Sequence, residues 1–182
     1  MSNASSQVSS THAAVTSRGL PGRSVLAGLL IGVGVAGFID ETVFHQLLHW
    51  HHSYDKSTPT AGLVSDGFFH AGSWIALVVG WFLIADMHRR RATVPRRVLA
   101  GGLLGWGAFQ VYDGLFQHKV LDLHEIRYGV NLAPYDLIWN ISGAIGILAG
   151  IALLFGSARP ISLRPGVDVP ETAGQHGQTA SR

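Results

Sequence analysis

The sequence predicts an all-α protein: a transmembrane four-helix bundle with both termini on the inner side, built from two parallel helical-hairpin repeats. Three observations predict it. Four apolar segments each run for about 20 residues, the length a helix needs to cross the hydrocarbon core. Arginines collect on one side of those segments. The first and third segments resemble each other.

The composition agrees. Charged residues make up 13% and hydrophobic residues 47% of the 182-residue chain, whereas a water-soluble domain carries about 25% charged residues. The segments run from Ser24 to Leu48, Ser65 to Ala85, Pro95 to Gln117 and Pro134 to Phe155. The first, preceded by Arg18 and Arg23, is too long for a cleaved leader and shows no small-residue cleavage site before Asp40, so it reads as a retained helix. Together they define a membrane domain over residues 21–156. Residues 1–20 and 157–182 are polar, without apolar periodicity, and read as disordered cytoplasmic tails.

Orientation follows from the basic residues. The loop HRRRATVPRR, together with Arg18, Arg23, Arg159, Arg164 and Arg182, puts ten arginines on one side. Only Lys56, Lys119 and Arg127 lie on the other. By the positive-inside rule both tails and the arginine loop are cytoplasmic. The modest excess of Lys and Arg over Asp and Glu, 13 against 11, thus sets topology and does not imply nucleic acid as a partner. The partner is the lipid bilayer, and the chain is expected to be a multi-pass membrane protein; the resemblance given below implies a bacterial cytoplasmic membrane.

Arg23–His45 aligns without gaps on Arg96–His118 at an offset of 73, with ten of 23 positions identical. Apolar sequence inflates such counts, but the identities include Asp40/Asp113 and His45/His118, a shared D-x4-H spacing. The second and fourth segments align more weakly at an offset of 70, placing Asp66 on Asp136 and His70 on Asn140. Gly28-x3-Gly32 and Gly101-x3-Gly105 hold equivalent places, where small residues let helix backbones approach closely.

Seven of the ten histidines and most of the carboxylates fall at the outward ends. Carboxylates in the membrane cost roughly 2.5–3.5 kcal/mol each at its centre and less near the interface, so they need compensation. A bound cation would supply it, as would protonated histidines in ion pairs or protonation of the aspartates themselves; for the cation, imidazole with carboxylate suits zinc, iron, manganese or copper(II). The candidate ligands are His45, His70, His118, Asp40, Asp66, Asp113, Asp136 and His49; the supporting groups are Glu41, His52, Gln117, His124 and Asn140. His51 reads as facing solvent, and the loop around His124 as a short interfacial helix over the site. Asp40 and His45, five apart, would stand roughly 140° apart on a regular helix, which counts against one common site. Trp50, Tyr54, Tyr135 and Trp139 read as interfacial anchors.

The chain has no cysteine, which excludes disulfides, iron–sulfur clusters and thiolate chemistry. Its two methionines, Met1 and Met87, offer no thioether copper(I) relay. No hydrolase, phosphate-loop or dinucleotide motif occurs. Three readings stand: a metal-binding protein, a metal-dependent membrane hydrolase or oxidoreductase, and a structural Asp–His hydrogen-bond network. Haem held by two histidines is a lesser alternative.

The strings GFIDETVFHQLLHWHH, DGFFHAGSW, GWGAFQVYDGLFQHKVLDLHEIR and YDLIWN resemble a family of bacterial membrane proteins known as domain of unknown function 2243. The resemblance covers residues 23–156. It implies a role in metal or haem handling for respiratory oxidases, with an oxidase or its assembly factors as partners.

Overall fold

The computed structural model describes residues 19–156, all helix and loop, with no strand among them. The expected tails lie outside the described residues except for Gly19 and Leu20. Helix α1 spans Pro21–Asp40 and continues as a π-helical turn over Glu41–Leu47. Helix α2 spans Pro59–Arg89. Helix α3 spans Pro95–Val111 and likewise continues as a π-helix over Tyr112–Val120. Helix α4 spans Ala133–Phe155.

The start of each helix is encoded locally. Each has proline at its first or second position, where the missing N–H costs no hydrogen bond and the fixed φ suits a helix. Thr58 also caps α2, its hydroxyl accepting from the Ala61 amide at 3.2 Å. At 31 residues α2 is longer than the segment expected from hydropathy, about 46 Å, and outreaches a hydrocarbon core of about 30 Å.

Three helices are long and apolar enough to cross a membrane: Pro21–Leu47, Pro59–Arg89 and Ala133–Phe155. The stretch through α3 is more polar, with Arg96 and Arg97 at its start and Gln110, Asp113, Gln117 and Lys119 towards its end. The helices stand in the order α2–α1–α3–α4. Helix α1 packs on α2 and α3, and α3 on α4, while no Cα of α2 lies within 8 Å of α4. The row is not closed into a ring, so α3, held between α1 and α4, depends less on its own apolarity than the flanking helices do.

Small residues fill the interior and large apolar ones face out. Ala27 and Ala100 are fully buried, whereas Phe68, Phe82, Ile138 and Leu148 are two-thirds exposed or more. Without a water-driven force between them, helices in lipid associate by close packing of small residues. The α1–α3 seam is the tightest case. A Cβ on Gly28 would stand 2.0 Å from the Val98 carbonyl oxygen, and one on Gly101 would stand 2.1 Å from that of Val25. Gly32 faces the Gly102 carbonyl and Gly105 the Leu29 carbonyl in the same way. Any side chain at these four positions would push the backbones apart.

The loops 48–58 and 121–132 cover the same end of α1 and α3. They are joined by the Asp55 N–H to the Leu123 carbonyl, 3.1 Å, and by Lys56 to Asp122, 2.8 Å. The second loop is irregular throughout, without the short helix expected near His124.

Candidate metal centre

The two π segments decide where the site forms. In a π-helix each hydrogen bond reaches back five residues, as from Leu48 N–H to the Val43 carbonyl and from Leu121 N–H to the Phe116 carbonyl. One residue is thereby added to each turn. Residues five apart then stand nearly above one another, as residues four apart do on an α-helix. The separation that set Asp40 and His45 on different faces of a regular helix is removed. His45 Nε2 lies 3.6 Å from Asp40 Oδ2, and His118 Nε2 lies 3.1 Å from Asp113 Oδ2.

Each π segment ends in a sharp reversal at a left-handed residue, His49 (φ 51°) and Asp122 (φ 48°). Histidine and aspartate are among the non-glycine residues that tolerate this region best. The reversal turns the following strand of each loop back over the helix ends. It thereby delivers two more imidazoles, His51 and His124, which are 5% and 1% exposed. The expectation that His51 faces solvent is corrected: it sits at the centre of the cluster. Its ring lies 4.4 Å from that of His45 and 4.6 Å from that of His124, stacked on the latter. His118 lies 4.6 Å from His124.

The ring tautomers follow from the partners. His51 Nδ1–H donates to the Ile126 carbonyl at 2.9 Å, and His124 Nδ1–H donates to the Ser53 carbonyl at 3.1 Å. Carbonyl oxygens only accept, so in both rings Nδ1 carries the proton. His45 Nδ1–H donates to Asp66 Oδ1 at 3.0 Å and lies as close to Glu41 Oε2. Among the described residues, the Nε2 atoms of His45, His51 and His124 and both nitrogens of His118 are buried without a well-directed hydrogen bond, although His118 Nε2 stands close to Asp113. Burial pushes the His51 imidazole far down, to about 2. A neutral ring with its lone pair turned inward is the form a metal binds.

Three groupings bring ligand atoms within 4.8 Å of one another: Asp40, His45 and His51; His51, His118 and His124; and Glu41, His45 and Asp66, all buried. Around them stand the supporting contacts. Asp66 also accepts from His52 Nδ1–H at 2.6 Å and the Ser53 N–H at 2.8 Å. The Gln117 amide donates to Asp113 Oδ1 at 3.0 Å.

Of the residues expected from sequence, Asp40, His45, Asp66, Asp113, His118, Glu41 and His124 meet here, with His52 and Gln117 at the periphery. Four do not reach it. His70 stays on the Asp66 side of α2 but one turn deeper, about 6 Å along the axis. It packs 5.6 Å from Phe38 and accepts from Trp74 Nε1–H at 3.2 Å. His49 is exposed at its reversal. Asp136 is taken by an ion pair with Lys119, and the Asn140 amide donates to its backbone carbonyl at 2.8 Å. His51 is the residue sequence reasoning missed. It stands 73 positions before His124, so carrying the alignment six residues past His45/His118 reveals the pair.

Trp50 and Tyr135 flank the site. The Arg127 guanidinium lies 4.8 Å over the Trp50 ring and donates to the Tyr135 hydroxyl at 2.7 Å. An apolar cleft of about 500 Å³ opens between α1, α2 and α3, lined among others by Phe69, Phe109 and Tyr112, and it reaches Gln117.

A model of the family described as predicted membrane protein (DUF2243) matches residues 27–157. No curated protein and no solved structure matches the chain.

Proposed function

The chain belongs to the DUF2243 family of predicted membrane proteins, and we propose that it holds a transition metal between its loop-end histidines and aspartates. One observation carries this: several buried imidazole nitrogens converge with no hydrogen-bond partner, and in three rings the opposite nitrogen is tied to a carbonyl or carboxylate. Ligating histidines are ordinarily held in this way by their second nitrogen. A purely structural Asp–His network would leave these atoms satisfied. Haem fits less well, since the His51 and His124 rings stack at 4.6 Å and leave no slot for a porphyrin. Nitrogen and oxygen ligands without sulfur suit zinc, iron, manganese or copper(II).

A duplicated hairpin accounts for the arrangement. The Gly28 and Gly101 contacts, the crossed His51–Ile126 and His124–Ser53 bonds and the two reversals at 49 and 122 all exchange under the offset of 73. A Cβ on Gly34 would meet the Ser73 carbonyl, and one on Gly107 would meet that of Gly143, which is position 73 plus the second offset of 70. We infer that α3 spans the membrane as α1 does. Both termini then lie in the cytoplasm of a bacterium, with the site opening outward. Supply of metal to a respiratory oxidase is the cellular use that the resemblance suggests for it.

A second reading is favoured by the apolar cleft at membrane depth, which ends on Gln117 and so beside Asp113. In it, a metal-activated water acts on a lipid-borne substrate.

Elemental analysis of full-length protein, purified without a histidine tag, tests the metal reading. The wild-type chain is expected to retain a transition metal that His51→Ala/His124→Ala loses. Equal metal content in the two would remove the site.

A further inference from the structure

We propose that the centre is dinuclear, with one ion in each of two equivalent triads: Asp40, His45 and His51 from the first half of the chain, and Asp113, His118 and His124 from the second. The inference rests on the metal reading above and adds stoichiometry and symmetry to it.

The distances favour two ions. Around a tetrahedral ion with bonds of about 2.0–2.1 Å, neighbouring ligand atoms stand roughly 3.3 Å apart. Asp40 Oδ2 to His45 Nε2 is 3.6 Å. Asp113 Oδ2 to His118 Nε2 is 3.1 Å, and Asp113 Oδ1 to His124 Nε2 is 3.7 Å. Each half therefore supplies its own Asp–His edge of a coordination sphere, with Asp113 meeting His118 and His124 through different oxygens. The ring positions repeat as well. His45–His51 and His118–His124 are 4.4 and 4.6 Å apart, and the crossed pairs His45–His124 and His51–His118 are 6.2 and 6.1 Å apart.

The triads also adjoin. His51 of one reaches within 4.8 Å of His118 and His124 of the other, and the His51–His124 stack lies where the two halves meet. Each of these rings is oriented by a carbonyl from the opposite half, so neither triad is complete without its mate. Ions held so close resemble the paired metals, about 3.5–4 Å apart, that clamp a shared oxygen.

Charge points the same way. Asp40, Glu41, Asp66 and Asp113 are each 1–2% exposed, while the nearby Lys56 and Lys119 pair with Asp122 and Asp136. Four buried carboxylates match the charge of two divalent cations; with a single cation, protons on the cluster's imidazoles or carboxylates would have to offset the rest. The halves differ in one respect. Glu41 and Asp66 flank His45, but Gly114 stands at the position corresponding to Glu41, and among the described residues no carboxylate beyond Asp113 pairs with His118. The first-half ion is the tighter of the two.

The test uses full-length untagged protein in detergent, stripped with chelator and reloaded with Mn(II). The expected result is two Mn(II) per chain with the electron paramagnetic resonance signal of a spin-coupled pair. His118→Ala/His124→Ala should hold one ion with an uncoupled six-line signal, and so should His45→Ala/His51→Ala. Should a variant fail to fold, the wild-type signal decides alone. A single isolated Mn(II) per wild-type chain would overturn the dinuclear centre and leave the metal site standing. Binding of neither Mn(II) nor Zn(II) would overturn both.

Discussion

The cluster is built from histidines whose protonation is fixed by what their outer nitrogens touch. His51 shows this most fully: its Nδ1 is spent on the Ile126 carbonyl, and burial keeps the ring neutral. Replacing it should therefore cost a ligand outright. His51→Ala is expected to weaken metal binding by more than about 100-fold, beyond the 10–100-fold that loss of a supporting partner brings. His70→Ala and His49→Ala should leave affinity within about twofold, because neither ring reaches the cluster; a competition titration with a fluorescent chelator separates these outcomes. His70 was the plausible choice from sequence, since D-x3-H places both residues on one helix face. Face does not report depth, and one turn was enough to set His70 against Phe38 and Trp74. His51 was hidden for the opposite reason. It lies in a loop, where no periodicity marks a residue as inward.

The helices were legible because length and apolarity are local properties, but hydropathy alone began the first two at Ser24 and Ser65, past Pro21 and Pro59 where α1 and α2 start. The π segments were not. Nothing in DETVFH or DGLFQH distinguishes a five-residue hydrogen-bonded turn from a four-residue one, so an α-helical reading put Asp40 and His45 on different faces. What makes the seam between α1 and α3 was legible, as paired glycines four apart. Its geometry yields a sharp expectation. Gly28→Ala or Gly105→Ala places a methyl group about 2 Å from a backbone oxygen, which no rotamer change relieves. Each should destabilise the protein by an amount at or above the upper range of overpacking, about 3 kcal/mol. Gly67→Ala and Gly72→Ala, with nothing within 4 Å of the added carbon, should be neutral. Thermal unfolding in detergent, followed by circular dichroism, compares the four.

The molecule as a row of four helices explains how two hairpins make one buried site. The central pair carries Asp40, His45, Asp113 and His118, the crossed loops add His51 and His124 and close one end, and the outer pair presents a wide apolar face. By the positive-inside rule, the arginines at the other end lead to the expectation that the loops face outward and residues 88–97 inward. The absence of cysteine makes this simple to check. In intact cells Ser57→Cys should react with a membrane-impermeant maleimide and Arg90→Cys only after lysis; the reverse pattern would invert the topology.

X-ray absorption at the edge of the metal bound to the purified, untagged protein tests most directly whether the converging imidazoles hold an ion. A shell of nitrogen and oxygen at about 2.0–2.1 Å is expected if the metal is zinc. That shell should show the outer-shell scattering of imidazole rings, which weakens when His51 and His124 are replaced. A shell of oxygen alone, or an imidazole pattern unchanged by those replacements, would contradict the metal centre.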